Sequence, residues 1–208
     1  MLGGLRTTLA LCAITVVGST LAGIVLGTMS AIRWRPFEIV LRAHIEFWRG
    51  LPTVVSLFFI FFALPTIHVY VNAFVAAAIG LILWASANIA EIVRGAIASI
   101  SRDQFTAGAA LGLNWVSVMR LIILPQAMRR MIPPLVGMLV NLIQTTTLAA
   151  VIGVLDVLEA GKQSVERLTL QTGNPHAIEV YAAILVVFFA ICFPISQFAN
   201  SLEKRLVV

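Results

Sequence analysis

Charged side chains are scarce in this sequence, at 11% of 208 residues, against roughly 25% in soluble domains. The scarcity excludes an ordinary soluble fold, because 60% of the residues are apolar and the mean hydropathy is +1.01. The few charges are also bunched, and they leave four uncharged runs long enough to cross a bilayer, which takes about 20 apolar residues. These runs cover residues 7–32, 50–90, 131–155 and 180–202. The sequence therefore predicts an integral membrane protein.

Cysteine and histidine are also sparse, with two cysteines and three histidines. Cys12 and Cys192 both lie inside uncharged runs, where a thiol behaves as a small apolar side chain, so no disulfide framework is indicated. His44, His68 and His176 have no partners at metal-ligand spacing. No metal site is predicted.

The uncharged run at residues 50–90 is too long for one crossing. Its 41 residues would form a helix about 60 Å long, about twice the hydrocarbon thickness. It therefore predicts two spans, broken near Pro65. The fold class is an all-α integral membrane protein, with residues 1–208 as one domain. The five predicted spans cover residues 7–31, 52–68, 73–94, 132–154 and 180–201.

The basic residues indicate an orientation. Arg6, Lys162 and Arg167 lie on one side of the predicted spans, and the other eleven of the 14 lie on the opposite side. The richer side should be cytoplasmic, with the N-terminus outside and the C-terminus inside. Because this bias accounts for the net charge of +5, no nucleic-acid partner is predicted. The eleven are Arg33, Arg35, Arg42, Arg49, Arg94, Arg102, Arg120, Arg129, Arg130, Lys204 and Arg205.

Two segments outside the spans also predict helices. Residues 35–50 read as an amphipathic helix that starts after Pro36 and lies at the membrane interface; the alternative is an ordinary polar connector. Within it, Glu46 and Arg49 predict an i,i+3 ion pair. Residues 156–170, on the opposite side, are compatible with a helix that ends in turn residues at 171–175.

The segment at residues 99–126 is rich in small residues and connects spans three and four. Residues 104–112 predict a short helix with little side-chain bulk, which Gly112 ends. A second helix is predicted over residues 115–124, stopping before Pro125. Such a thin surface lets another protein approach the backbone closely; alternatively, the glycines only end a short helix.

This segment resembles the Q-x-E-A-A-x-x-L-G…LPQA loop of ATP-binding-cassette (ABC) importer permeases of the polar amino acid uptake family, with Thr106 in place of the motif's Glu. Similar family elements are IEFWRGLP at 45–52, AEIVRG at 90–95 and LAAVIGV at 148–154. The resemblance implies a type I ABC importer fold whose coupling helix docks into a groove on the ATPase. It assigns ATPase coupling to Gln104, Thr106, Ala107, Gly108, Ala110, Leu111 and Gly112.

The resemblance implies a transport subunit rather than an enzyme, with no catalytic residues and no cofactor on this chain. ATP and Mg²⁺ would bind a separate ATP-binding ABC subunit. In agreement, the pair Gly161-Lys162 lacks a nucleotide-binding loop, since Asp156 stands at its first Gly and Gln163 at its Ser or Thr. The other implied partners are a second copy or a related permease, an extracytoplasmic amino-acid-binding protein and a small amino acid substrate, at the bacterial cytoplasmic membrane.

Polar residues within the predicted spans are the candidate substrate pathway. Such groups are costly against lipid and face protein or a water-filled cavity, but they also join helices by hydrogen bonds. Both interpretations stay open for the span-four residues, and an interhelical bond is favoured for Asn88. The family often has Lys-Asp at 144–145, where this chain is neutral, so a small polar or weakly charged amino acid is expected. The candidates are Asn88, Asn141, Gln144, Thr145, Thr146 and Thr147.

The alternative function is a secondary transporter or channel subunit for a small polar solute. A secondary transporter usually shows an inverted repeat or an intramembrane carboxylate that binds a coupling ion. Neither is evident, since Glu91, the acidic residue inside a predicted span, lies near its end and predicts an ion pair with Arg94.

Overall fold

The computed structural model describes residues 2–30 and 35–206, except for the side chains of residues 200 and 203–206. Arg33 lies outside the described residues. Throughout the described residues the regular structure is helical. The elements are α1 (Leu2–Met29), α2 (Arg35–Gly50), α3 (Thr53–Ala63), a 3₁₀ turn (Leu64–Ile67), α4 (Ala73–Ala98), α5 (Arg102–Ala110), α6 (Trp115–Val118), a π-helical segment (Met119–Ile123), α7 (Leu124–Thr145), a 3₁₀ segment (Thr146–Ile152), α8 (Val157–Thr172) and α9 (Ala177–Leu206).

The predicted all-α membrane fold is confirmed, with one span shorter than expected. Four helical stretches are long and apolar enough to cross a membrane: Leu2–Met29, Ala73–Ala98, Trp115–Ile152 and Ala177–Ala199. The fifth is a bent pair, in which α2 meets Thr53–Ile67 at 105°. Thr53–Ile67 would extend only about 20–25 Å, because Pro52 precedes it and Pro65 tightens its end into a 3₁₀ turn.

α1 packs against α4 through small side chains. The residues it buries recur about every four positions, which places them on one face of the helix. A Cβ at Gly23 would lie 2.5 Å from the Cβ of Ile89, and one at Gly27 would lie 2.5 Å from the Cβ of Val93. The two helices therefore touch at backbone distance, and they run parallel.

We expect Gly23→Ala to lower the thermal stability of the purified protein, because the added methyl has no room beside Ile89. Overpacking of this kind costs about 1–3 kcal/mol. Thermal unfolding in detergent measures it, with Gly95→Ala as the control, since a Cβ there meets nothing within 4 Å. Equal unfolding temperatures for the two variants would contradict this close approach.

The amphipathic helix α2 is confirmed between Arg35 and Gly50. Leu41 and Ile45 are buried against Ala87 and Ala90 of α4, whereas Val40 and Phe47 are exposed apolar residues on another flank. The predicted pair also forms, with Arg49 Nη1 3.3 Å from Glu46 Oε1. α2 therefore joins the bundle on one flank and leaves an apolar flank for the membrane interface.

The predicted helix end before Pro125 is wrong, because one helical run of 38 residues continues from Trp115 to Ile152. Proline lacks an N–H and its ring crowds the preceding turn. The turn before it is widened: the N–H of Leu124 donates to the carbonyl of Met119, five residues back. This π-helical segment accommodates Pro125 without ending the helix.

The bundle has two ends, which we name by their elements. The hairpin end carries α2, the C-termini of α1 and α4, and the helical pair α5–α6. The α8 end carries the first turn of α1 and the N-terminus of α8, where a Cβ at Gly4 would lie 2.5 Å from the carbonyl oxygen of Asp156. The run from Trp115 to Ile152 joins the two ends.

Candidate functional site

Residues 101–118 form a capped helical hairpin. The Ser101 hydroxyl accepts the N–H of Asp103 at 3.2 Å, and Asn114 Oδ1 accepts the N–H of Ser117 at 2.9 Å, so both helices begin with a side-chain cap. Between them Gly112 has φ +78°, and the N–H of Leu113 donates to the carbonyl of Gly108 at 3.1 Å. The predicted helix end at Gly112 is confirmed, because this left-handed turn favours glycine.

Gly108 faces inward, contrary to the expectation that it faces the ATPase. It is buried, and a Cβ there would lie 2.7 Å from Val118 Cγ2 and 3.2 Å from Ile122 Cδ1. Its small size therefore lets α5 pack on the second helix of the hairpin. The other six predicted coupling residues are exposed: Gln104, Thr106, Ala107, Ala110, Leu111 and Gly112.

The exposed residues form a thin apolar tip with a polar edge. Leu111 is 78% exposed, and the alanines beside it add little bulk. The Thr106 hydroxyl, at the position of the family's Glu, donates to the carbonyl of Arg102 on its own helix at 3.2 Å. Gln104 Oε1 accepts from Gln126 Nε2 at 3.3 Å.

Two contacts hold the hairpin and the segments that flank it together, and the sequence analysis missed both. Arg130 Nη1 donates to the carbonyl oxygen of Ser99 at 2.6 Å and to its hydroxyl at 3.0 Å. Gln126 joins Gln104 as described and also donates to the carbonyl of Ile122 at 2.9 Å. The basic Arg129-Arg130 pair was a signal in the sequence, but which arginine reaches the end of α4 depends on the helical phase set by the π-helical segment.

The span-four polar residues divide between two environments. Asn141 and Gln144 are exposed, and Thr145 and Thr147 are partly buried. The Thr145 hydroxyl donates to the carbonyl of Asn141 at 2.7 Å, and that of Thr147 donates to the carbonyl of Gln144 at 2.8 Å. These four form a polar row, and the hydroxyl protons of its two threonines are satisfied locally.

Thr146 departs from the predicted set, since it is only 1% exposed. Its hydroxyl donates to the carbonyl of Ile143 at 2.7 Å and lies 3.6 Å from Cys12 Sγ on α1. Its role here is helix packing. Asn88 is half-buried, and its Nδ2 donates to the carbonyl of Trp84 on the same helix at 2.9 Å, so this bond does not join two helices.

A buried carboxylate follows the polar row at the α8 end. Asp156 is 1% exposed and caps α8, accepting the N–H of Glu159 at 2.8 Å through Oδ1. Its Oδ2 has no hydrogen-bond partner among the described residues. The Thr8 hydroxyl of α1 accepts the N–H of Val157 at 3.0 Å. In the described part of the chain, no cluster of three His, Cys, Asp or Glu side chains could hold a metal.

Asp156 should make stability depend on pH. Burial raises the pKa of its carboxyl, although the backbone N–H groups at the helix start partly oppose this. A raised folded-state pKa means that the folded protein favours the protonated form, so this contribution to stability is present in acid and is lost as the pH rises through that pKa. Asp156→Asn keeps the cap and cannot ionise.

We therefore expect Asp156→Asn to raise the unfolding temperature near neutral pH by about 2–4 °C and to match the wild type in acid. Thermal unfolding between about pH 4 and pH 8 measures this. Asp103→Asn, which makes the same replacement at an exposed carboxylate in the first turn of α5, is the comparison variant. A parallel pH dependence for Asp156→Asn and the wild type would contradict the prediction.

A family model named "Binding-protein-dependent transport system inner membrane component" matches residues 23–208. The chain belongs to this family. It is 33% identical to the glutamine transport system permease protein GlnP of Escherichia coli K12, over 100% of this chain and 93% of the relative. It is 35% identical to the probable amino-acid ABC transporter permease protein YckA of Bacillus subtilis, over 92% and 80%.

Experimental structures support the same assignment. The crystal structure of an amino acid ABC transporter with histidines is 26% identical to this chain, with a TM-score of 0.85 over 98% of this chain and 92% of that one. The MetNI methionine ABC transporter in an inward-facing conformation shares the fold, at 17% identity and a TM-score of 0.78, over 99% of this chain and 95% of that one. This chain is therefore the membrane-spanning transport subunit of an ATP-driven amino acid importer and not an enzyme.

Proposed function

We propose that the tip of α5 docks on an ATP-binding ABC subunit, which binds ATP and Mg²⁺ and drives import. The supporting observation is the folded hairpin, which turns Gly108 inward and presents Ala107, Ala110 and Leu111 outward. A thin exposed apolar tip suits insertion into a groove on another protein. Gln104, Thr106 and Gly112 surround it, and no cofactor is proposed on this chain.

The proposal includes a second permease, either a copy of this chain or a related one. Asn141 and Gln144 are exposed on the surface of a single subunit, where polar groups would be costly against lipid. A facing subunit would cover this surface and leave the pathway between the two polar rows.

The substrate proposed for this pathway is a small polar or weakly charged amino acid. Glutamine is the first candidate, because the relative GlnP is named as a glutamine transport permease. The polar row offers amide and hydroxyl groups, which pair with a neutral side chain by hydrogen bonds. An extracytoplasmic amino-acid-binding protein would deliver it at the α8 end.

The proposed orientation places the hairpin end in the bacterial cytoplasm, with the N-terminus outside and the C-terminus inside. The arginines of α2, α5 and the start of α7 lie at that end, in agreement with the positive-inside rule. The hairpin would then face the compartment that holds ATP.

Uptake of labelled glutamine by proteoliposomes tests the function. The chain would be reconstituted with its co-purifying ATP-binding subunit, its second permease and its binding protein. We expect uptake to require ATP on the side of the membrane that the hairpin faces. Uptake should disappear when the ATPase is inactivated at its Walker A lysine. Uptake that persists with the inactive ATPase and follows an ion gradient would instead support a secondary transporter or channel subunit.

A further inference from the structure

We propose that Arg130 and Gln126 are positioning residues that lock the hairpin to the end of α4 and the start of α7, so that an ATPase pushing on α5 moves the start of α7 with it as one rigid unit. This inference rests on the proposed docking of an ATPase at α5. It assigns a mechanical role to two side chains that lie outside the exposed tip.

The first lock is the contact of Arg130 with Ser99, which joins the two ends of residues 99–130 and so closes this segment into a ring. Ser99 caps the C-terminus of α4, three residues before α5 begins. Arg130, 31 residues later, donates to both its carbonyl and its hydroxyl. A cation is also favourable at a helix C-terminus. Without this contact, the connection at residues 99–101 is the natural place for α5 to swing independently of α4.

The second lock lies across the hairpin. Gln126 Nε2, on α7, donates to Gln104 Oε1 on α5 and to the carbonyl of Ile122 in the π-helical segment. Between the two locks, Ile100, Val118 and Ile123 are buried in one apolar cluster with residues of α4. Residues 99–130 are therefore tied at their two ends, again between residues 104 and 126, and through their buried interior.

The neighbouring part of α7 is built differently. Pro133 and Pro134 lie inside the helix, and each removes a backbone hydrogen bond to the residue four positions earlier. The carbonyls of Arg129 and Arg130 lose their α-helical donors in this way. The weak point of α7 thus falls just beyond the locked unit, between the hairpin and the polar row.

The chain supplies a matched control for Arg130. Arg129 is the adjacent arginine and is also exposed, and among the described residues its side chain forms no hydrogen bond or ion pair. Removing either arginine changes the net charge equally, but only Arg130 closes the ring.

The test measures the number of amino acid molecules imported per ATP hydrolysed by the complete transporter in proteoliposomes, for Arg130→Ala and Arg129→Ala. We expect the ratio to fall about fivefold or more for Arg130→Ala and to stay at the wild-type value for Arg129→Ala. Arg130→Lys should restore the ratio only in part, since lysine keeps the charge but not the planar geometry. Gln126→Leu, which opens the second lock, should also lower it and serves if Arg130→Ala does not assemble.

Equal ratios for Arg130→Ala, Gln126→Leu and Arg129→Ala would overturn the inference, and a lowered unfolding temperature with an unchanged ratio would leave only a structural role. A wild-type transporter that imports no amino acid in an ATP-dependent manner would instead overturn the proposed function. The two failures are therefore distinguishable.

Discussion

Replacement of Gly108 by tryptophan is expected to abolish substrate-stimulated ATP hydrolysis while leaving membrane insertion intact. The cause is internal to the subunit, because even a Cβ at this position would lie 2.7 Å from Val118 and 3.2 Å from Ile122. An indole ring would separate α5 from the second helix of the hairpin and displace the exposed tip. The measurement is ATP hydrolysis by the reconstituted transporter with and without loaded binding protein, alongside membrane-fraction immunoblots.

A compensating pair separates this mechanism from a direct contact with the ATPase. Gly108→Ala alone should lower stimulated hydrolysis, and Val118→Ala added to it should restore much of the loss by making room for the methyl. Val118 is buried and is outside the reach of a docked partner. If Val118→Ala fails to rescue Gly108→Ala, while Leu111→Ala has no effect on hydrolysis, our assignment of inner and outer faces is wrong.

Loss of the Gln144 amide is expected to produce the other large effect, a reduction in uptake of about tenfold or more. Gln144 is exposed in the polar row, and a leucine of similar size would remove its donors and acceptor. A hydrogen bond to a charged group contributes about 1.5–3 kcal/mol, and the α-amino and α-carboxylate groups of an amino acid are charged. Initial uptake rates over a range of substrate concentrations measure the effect.

The matched control is Gln197→Leu, which makes the same replacement at an exposed position on α9. It should leave uptake unchanged if the row, rather than any exposed glutamine, contacts the substrate. A competition panel adds the charge test, because no carboxylate occurs in residues 131–155 and an unpaired cationic side chain there would be costly. Preference for arginine or lysine, with uptake unaffected by Thr145→Leu, would exclude the row as the binding site.

The membrane fold could be predicted from the sequence because its cause is compositional. Charges cannot lie in lipid without cost, so their absence from long runs marks the spans directly. The length of the span near residues 53–67 was harder, because prolines and a bend of 105° decide where the chain leaves the membrane. The predicted helix end before Pro125 was wrong for a related reason. The rule that helices end before proline assumes an α-helical turn, whereas here a wider π-helical turn accommodates the proline.

The candidate site was predicted in part. Gly112 could be identified because a helix end with positive φ has a local cause, whereas Gly108 needed the partner helix: from the sequence alone, a glycine on a short helix can face in or out. Thr146 was indistinguishable from Thr145 and Thr147 until the switch from α to 3₁₀ fixed which side each hydroxyl faces. Arg130 binds Ser99, 31 residues away, and the N–H of Val157, beside Asp156, donates to Thr8, 149 residues away. No pattern in a single sequence shows contacts at such a range.

The hairpin has a buried inner side and an exposed tip, and this division has a practical consequence for protein engineering. This inner side depends on chain length: an insertion in the helical run between Trp115 and Arg130 would turn the rest of α7 by about 100° per residue and carry the arginine away from its acceptor. The tip carries no such constraint, because Ala107, Ala110 and Leu111 face outward. A permease that is to accept a foreign ATPase should therefore be altered by substitution at these three positions, with the number of residues in the hairpin kept fixed.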